Sequence, residues 1–81
     1  MMNEHKCPVC GKYSFPYIDS YDICTNCGWQ DDSYQEEDPD ETCCANQMSL
    51  NQARKVYAAG LTKLLFDNDL YPGDKYLSRI S

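Results

Sequence analysis

The sequence predicts a small α+β fold stapled by a metal ion, in which a β-hairpin carries two cysteine knuckles and a carboxy-terminal helix follows. Three observations lead there. The chain has 81 residues, six of them cysteine, and a net charge of -6. Ordering costs about 1.5 kcal/mol per residue and chains this short bury only about 60% of their unfolded surface, so a staple beyond hydrophobic burial is expected. Four of the cysteines form two copies of one short motif, and a helical pattern begins well downstream of them.

The length allows one domain over residues 1–81, divided into a metal-binding ribbon (7–30), an acidic loop (31–45), a helical segment (49–66) and a tail (67–81). The ribbon rests on Cys7-Pro8-Val9-Cys10-Gly11 and Cys24-Thr25-Asn26-Cys27-Gly28, with thirteen residues between the knuckles. Two intervening residues let both sulfurs of a turn reach one ion. The glycine that follows tolerates a positive φ, and its amide is expected to point at a thiolate. Cys7, Cys10, Cys24 and Cys27 are therefore the expected ligands. Four soft thiolates in a tetrahedron select zinc, with iron as the alternative, which makes the fold zinc-ribbon-like or rubredoxin-like. A filled four-sulfur site has no open position, so the metal is expected to be structural and the protein not an enzyme.

Between the knuckles, Tyr13, Phe15 and Tyr17 alternate along residues 11–18 and are expected on one side of a strand. Asp19-Ser20 supplies turn chemistry, and Tyr21-Asp22-Ile23 is expected to return as the partner strand. Pro16 lacks a backbone donor and marks an edge.

Residues 31–41 contain seven acids and no base, so the negative excess is local. Such a run is usually a solvated loop, and it could also present charge to a basic protein. Trp29 and Tyr34 could add aromatic anchors, giving Trp29, Asp31, Asp32, Tyr34, Glu36 and Glu37 as candidate partner-binding residues. No calcium-loop spacing is present.

Ser49 followed by Gln52 matches a capping box, and Leu50, Ala53 and Tyr57 recur on one face of a helix that Gly60 ends or kinks. Leu61, Leu64 and Leu65 could add one or two helical turns. Tyr71-Pro72-Gly73-Asp74 fits a type II turn.

Several classes are excluded or disfavoured. The amino terminus lacks the apolar run of a signal peptide, and no segment approaches the length of a membrane span, which leads to the expectation of a cytoplasmic protein with reduced thiols. Thioredoxin-like exchange needs a βαβ context, and a zinc deaminase needs a His-x-Glu motif; neither is found. Of the adjacent Cys43 and Cys44, one is read as a small buried hydrophobe before the helix, in preference to a redox or regulatory role, and His5 as a spectator in a frayed terminus.

The knuckle at residues 7–11, the Tyr21–Cys24 segment, Cys27-Gly28-Trp29-Gln30-Asp31-Asp32, Pro39-Asp40 and the stretch from Asn46 through Ser49–Arg54 to Gly60 together resemble the cysteine-rich CPCC family of small bacterial proteins. The resemblance spans residues 7–60. The chain departs from it at Val9, where the name-giving motif has a third cysteine, which leaves Cys7 and Cys10 as the candidate ligands of the first knuckle. The resemblance implies a small metal-bound fold and supplies no catalytic residues.

Three functions fit these features. The first is a zinc-stapled module for a basic protein partner, of which an immunity or inhibitor protein is one form. The second is an iron-loaded, rubredoxin-like electron carrier. The third, a nucleic-acid-binding ribbon, would need a basic face, which the charge balance disfavours.

Overall fold

The computed structural model describes residues 5–42 and 44–78. Cys43 and residues 79–81 of the tail lie outside that range, as do residues 1–4, the terminus in which fraying was expected. The first element is an antiparallel ladder of two short strands, β1 (His5–Lys6) and β2 (Ser14–Phe15), with His5 opposite Phe15 and Lys6 opposite Ser14. A bond of 2.8 Å from the Cys7 N–H to the Tyr13 carbonyl extends the ladder toward the first knuckle.

This pairing corrects the expected hairpin. The 11–18 segment meets the chain that precedes the first knuckle, while Ile23 forms an antiparallel bridge to Gln30 across the second. The Cys24 N–H reinforces that bridge, 2.8 Å from the Trp29 carbonyl. Each knuckle reverses the chain, so its own flanks meet with a shorter loop to close than more distant segments would need. The structure is thus two small hairpins, each enclosing one pair of cysteines. The alternation also stops early: Phe15 is buried and Tyr13 half-buried against it, edge-on at 5.2 Å, but Tyr17 turns to solvent. β2 ends immediately before Pro16.

The first half of the acidic stretch is no solvated loop, although Asp38 and Asp40 beyond it are exposed. Asp32 caps a short helix, α1 (Ser33–Glu37), by accepting from the Tyr34 N–H. The capping box expected at Ser49 and Gln52 is present in both directions and opens α2 (Leu50–Ala58). Gly60, at φ 78°, lets the chain leave the helix, with Leu61 N–H returning 3.0 Å to the Val56 carbonyl. α3 (Thr62–Phe66) then packs on α2. The hydrogen-bonded type II turn expected at Tyr71–Asp74 is not formed; Gly73, at φ 100°, instead leads directly into α4 (Asp74–Ser78), its carbonyl accepting from the Leu77 N–H at 3.1 Å. A Lys55–Asp74 ion pair of 2.8 Å links α4 to α2.

The core runs from the knuckles to these helices. Cys7, Cys24, Cys27, Phe15 and Trp29 cluster with Met48, Leu50, Ala53, Val56, Leu65 and Leu77. Leu50, Ala53 and Val56 recur at intervals of three and give α2 its inward face. No helix among the described residues is long and apolar enough to cross a membrane.

Candidate metal centre

The two hairpins bring the Sγ atoms of Cys7, Cys10, Cys24 and Cys27 within 4.8 Å of one another. Two pairs across the knuckles, Cys7–Cys27 and Cys10–Cys24, are 3.6 Å apart. A tetrahedron with metal–sulfur bonds of about 2.3 Å places its sulfurs about 3.8 Å apart, so the four thiols fit a single ion with little adjustment. Three of them are buried and Cys10 is half-buried. The expected ligand residues are thus brought together, and they could hold a metal ion.

Backbone amides prepare the sulfurs for charge. Lys12 N–H lies 3.4 Å from Cys10 Sγ, and the Asn26 and Cys27 N–H groups each lie 3.3 Å from Cys24 Sγ. The knuckle glycines do something different from what the sequence suggests. Gly11 and Gly28 donate to the carbonyls of Cys7 and Cys24, 2.9 Å away in each case, and so close the turns rather than contact a sulfur. Both have positive φ, 68° and 95°. Gly28 is also a contact point, because a Cβ there would lie 2.6 Å from the Phe66 nitrogen at the end of α3.

Without an ion the thiols hold their protons unevenly. The hydrogen bond from the Cys27 thiol pulls Cys7 down into the thiolate form. That same bond, and then burial, pushes Cys27 up. Burial chiefly pushes Cys24 up. A cation entering the site would neutralise the charge that this arrangement resists, which is the electrostatic role of a metal in a four-thiolate site.

The six candidate partner-binding residues divide into two groups. Trp29 and Asp31 are fully buried and Asp32 nearly so, which removes them from any surface. Trp29 fills the core, with its Nε1 unpartnered. Asp31 Oδ2 accepts from the Ser20 N–H and hydroxyl, both at 2.9 Å. Asp32 accepts from Tyr34 N–H through Oδ1 at 2.9 Å and from Ala45 N–H through Oδ2 at 3.0 Å. These acids tie the chain together by satisfying backbone donors, which a count of charges along the sequence does not reveal. Tyr34 and Glu37 remain exposed, and Glu36 is half-buried.

His5 is no spectator. It is held in β1, and its Nε2 lies 2.7 Å from Glu36 Oε2 and 3.4 Å from Asp31 Oδ1. Burial pushes the Glu36 carboxyl up, against the opposing pull of His5. Cys44 is half-buried. Gln35 and Asn46, neither of them a candidate site residue from the sequence, are both buried in a polar network beside α1. Asp32 followed three residues later by Gln35 is a helix-start signal that could have drawn attention to the first of them.

Two short cysteine hairpins with four convergent thiols, set against a helical layer, define a small α+β protein with a cysteine site able to hold a metal. The model of the family described as "Cysteine-rich CPCC" matches residues 5–61, and the chain belongs to that family. A comparison with curated protein sequences found no match.

Proposed function

We propose that the protein is a zinc-stapled, non-catalytic interaction module that binds a basic protein partner, with an immunity or inhibitor protein as one concrete form. The observation that carries this reading lies in the segment between the knuckles. Tyr17, Ile18, Tyr21 and Ile23 are each more than half exposed, although the core of so small a chain has need of them. Asp19 and Asp22 are exposed among them, and the Ser33 N–H bond to Asp19, 3.2 Å, ties the segment to α1 with its exposed Glu37. Apolar and aromatic groups interleaved with one sign of charge are suited to a partner carrying the other sign.

The basic residues support the same choice over a nucleic-acid ribbon. Lys55 and Lys63 are paired with Asp74 and Asp67, and Arg54 is bonded to the Pro8 carbonyl at 3.0 Å. Among the described residues, Lys6 and Lys12 stay exposed beside the first knuckle, a small basic surface against the exposed acids Asp19, Asp22, Glu37, Asp38 and Asp40. A four-thiolate set accepts zinc and iron alike, and zinc is preferred here because the helices exceed what a minimal electron carrier needs; a colourless purified protein is expected, whereas iron tetrathiolate would be red. A cytoplasmic setting would keep the four thiols reduced for the ion.

The test is purification of the native complex followed by association kinetics over a range of salt. Neutralising Asp22, Glu37 and Asp38 together should slow association and flatten its salt dependence. A triple variant that associates at the wild-type rate would show that the acidic face is only a solvated surface.

A further inference from the structure

The contact between His5, Asp31 and Glu36 is unexplained by the cysteine centre. Their donor atoms lie within 4.8 Å of one another, and they come from three separate places: strand β1, the residue after the Ile23–Gln30 bridge, and helix α1. Asp31 is fully buried, and its Oδ1 has no hydrogen-bond partner. His5 Nε2 lies 3.4 Å away, but its single proton is committed to Glu36 Oε2 at 2.7 Å. One N–H cannot serve two carboxylates, so a buried anionic oxygen is left facing the imidazole and the second acid. Leaving such an oxygen unsatisfied is costly.

We propose that His5, Asp31 and Glu36 form a second site, separate from the four thiols, for a divalent first-row transition metal. One imidazole nitrogen and two carboxylate oxygens suit ions of the zinc, iron(II), cobalt(II) and manganese(II) group. With bonds of about 2.0–2.2 Å, neighbouring donors around such an ion lie about 3–3.5 Å apart. The His5–Asp31 separation of 3.4 Å already fits, and His5 and Glu36 need only a small opening from 2.7 Å.

The surroundings are those of a positioned site. His5 is fixed by its ladder opposite Phe15, whose buried ring lies 6.0 Å from the imidazole. Asp31 is oriented through its other oxygen by the two bonds from Ser20. Outer contacts of this kind hold ligands in place in metal sites. Three protein donors leave coordination positions for water, unlike the closed set of sulfurs. The proposal is independent of the partner reading above, because it concerns groups in and beneath α1 rather than the exposed face.

Cobalt(II) is the probe, added to protein whose thiols are already saturated with zinc. The expected result is a second equivalent of bound metal with weak visible absorption and no thiolate charge-transfer band, together with paramagnetic broadening of the His5 ring signals. His5→Gln and Glu36→Gln should each weaken that equivalent by at least about tenfold, while the zinc equivalent and the circular dichroism stay as in the wild type. The conservative exchanges avoid Asp31, whose bonds to Ser20 serve the fold. The proposal is overturned if saturated protein takes up no cobalt, if uptake is unaffected by both substitutions, or if the His5 signals do not respond; the trio is then an ion pair only.

Discussion

Gln35 and Asn46 face each other in the interior as a closed pair of side-chain amides. Gln35 Oε1 accepts from both the backbone N–H and the Nδ2 of Asn46, at 3.1 and 2.9 Å. Gln35 Nε2 donates to the carbonyls of Glu41 and Met48, and Asn46 binds the N–H and carbonyl of Gln30 through its two amide atoms. Glu41, Asn46 and Met48, in the irregular stretch between α1 and α2, are thereby held to α1 and to the second hairpin. Apart from the bond between the two side chains, each bond of these amides satisfies a backbone group that a sheet or helix would otherwise partner.

Replacing Gln35 by Leu keeps the volume but leaves two amide donors of Asn46 and two carbonyls without partners. Each buried orphan costs about 1–3 kcal/mol, so the loss should be at least about 3 kcal/mol. At about 4–8 °C per kcal/mol for a domain of this size, thermal unfolding of the metal-loaded protein should fall by at least about 12 °C. A shift of only a few degrees would mean that water takes over the bonds.

Metal removal should unfold most of the chain. A structural zinc site contributes about 10–16 kcal/mol, comparable with the whole stability of a domain. The four sulfurs lie in the same core as Trp29 and Phe15, so their separation would open it. A strong chelator should abolish the far-ultraviolet helical signal and shift Trp29 emission to the red. An unchanged spectrum in fully metal-free protein would contradict this.

Acid should release the ion. Burial pushes the Cys24 thiol up, and the Cys7 hydrogen bond followed by burial does so for Cys27, so both compete for protons while Cys7, pulled down, competes least. Affinity therefore rises with pH and falls as protons return, by about tenfold per pH unit for each proton that binding displaces. The slope of apparent affinity against pH, measured with a competing chelator, should exceed one proton between pH 6 and 8, a window of about two units below the usual thiol range. A flat profile would mean that the thiols are already ionised without metal.

The two knuckle glycines should differ in their tolerance of a side chain. Gly11, at φ 68°, has open space around it, so Gly11→Ala meets only the left-handed backbone penalty of about 1–2 kcal/mol. Gly28, at φ 95°, would in addition drive a Cβ to 2.6 Å from backbone and 2.9 Å from the ring of Phe66. Gly28→Ala should cost clearly more, and denaturant unfolding of the two zinc-loaded variants measures the difference. Equal losses would show that α3 moves aside freely.

What the sequence made legible was local. The four candidate ligand residues, the Ser49–Gln52 box and the break at Gly60 each depend on neighbours a few positions apart, and each pattern is found converged, capped or turned where it lies. The pairing of Ser14–Phe15 was not legible, because alternation marks a strand without naming its partner, and β1 is only two residues long. Asp31 and Asp32 read as solvated charge because their partners, Ser20 and Ala45, lie eleven and thirteen residues away. His5 was discounted for its position near the end of the chain, and only the fold brings it 31 residues across to Glu36.

Gly28 also bears on how long an ion would stay. The family match ends at residue 61, yet α3 begins at Thr62 and its last residue rests on the second knuckle. The segment outside the family match thus lies against the second knuckle like a doorstop, and would slow the escape of an ion held there without adding to the strength with which four sulfurs bind it.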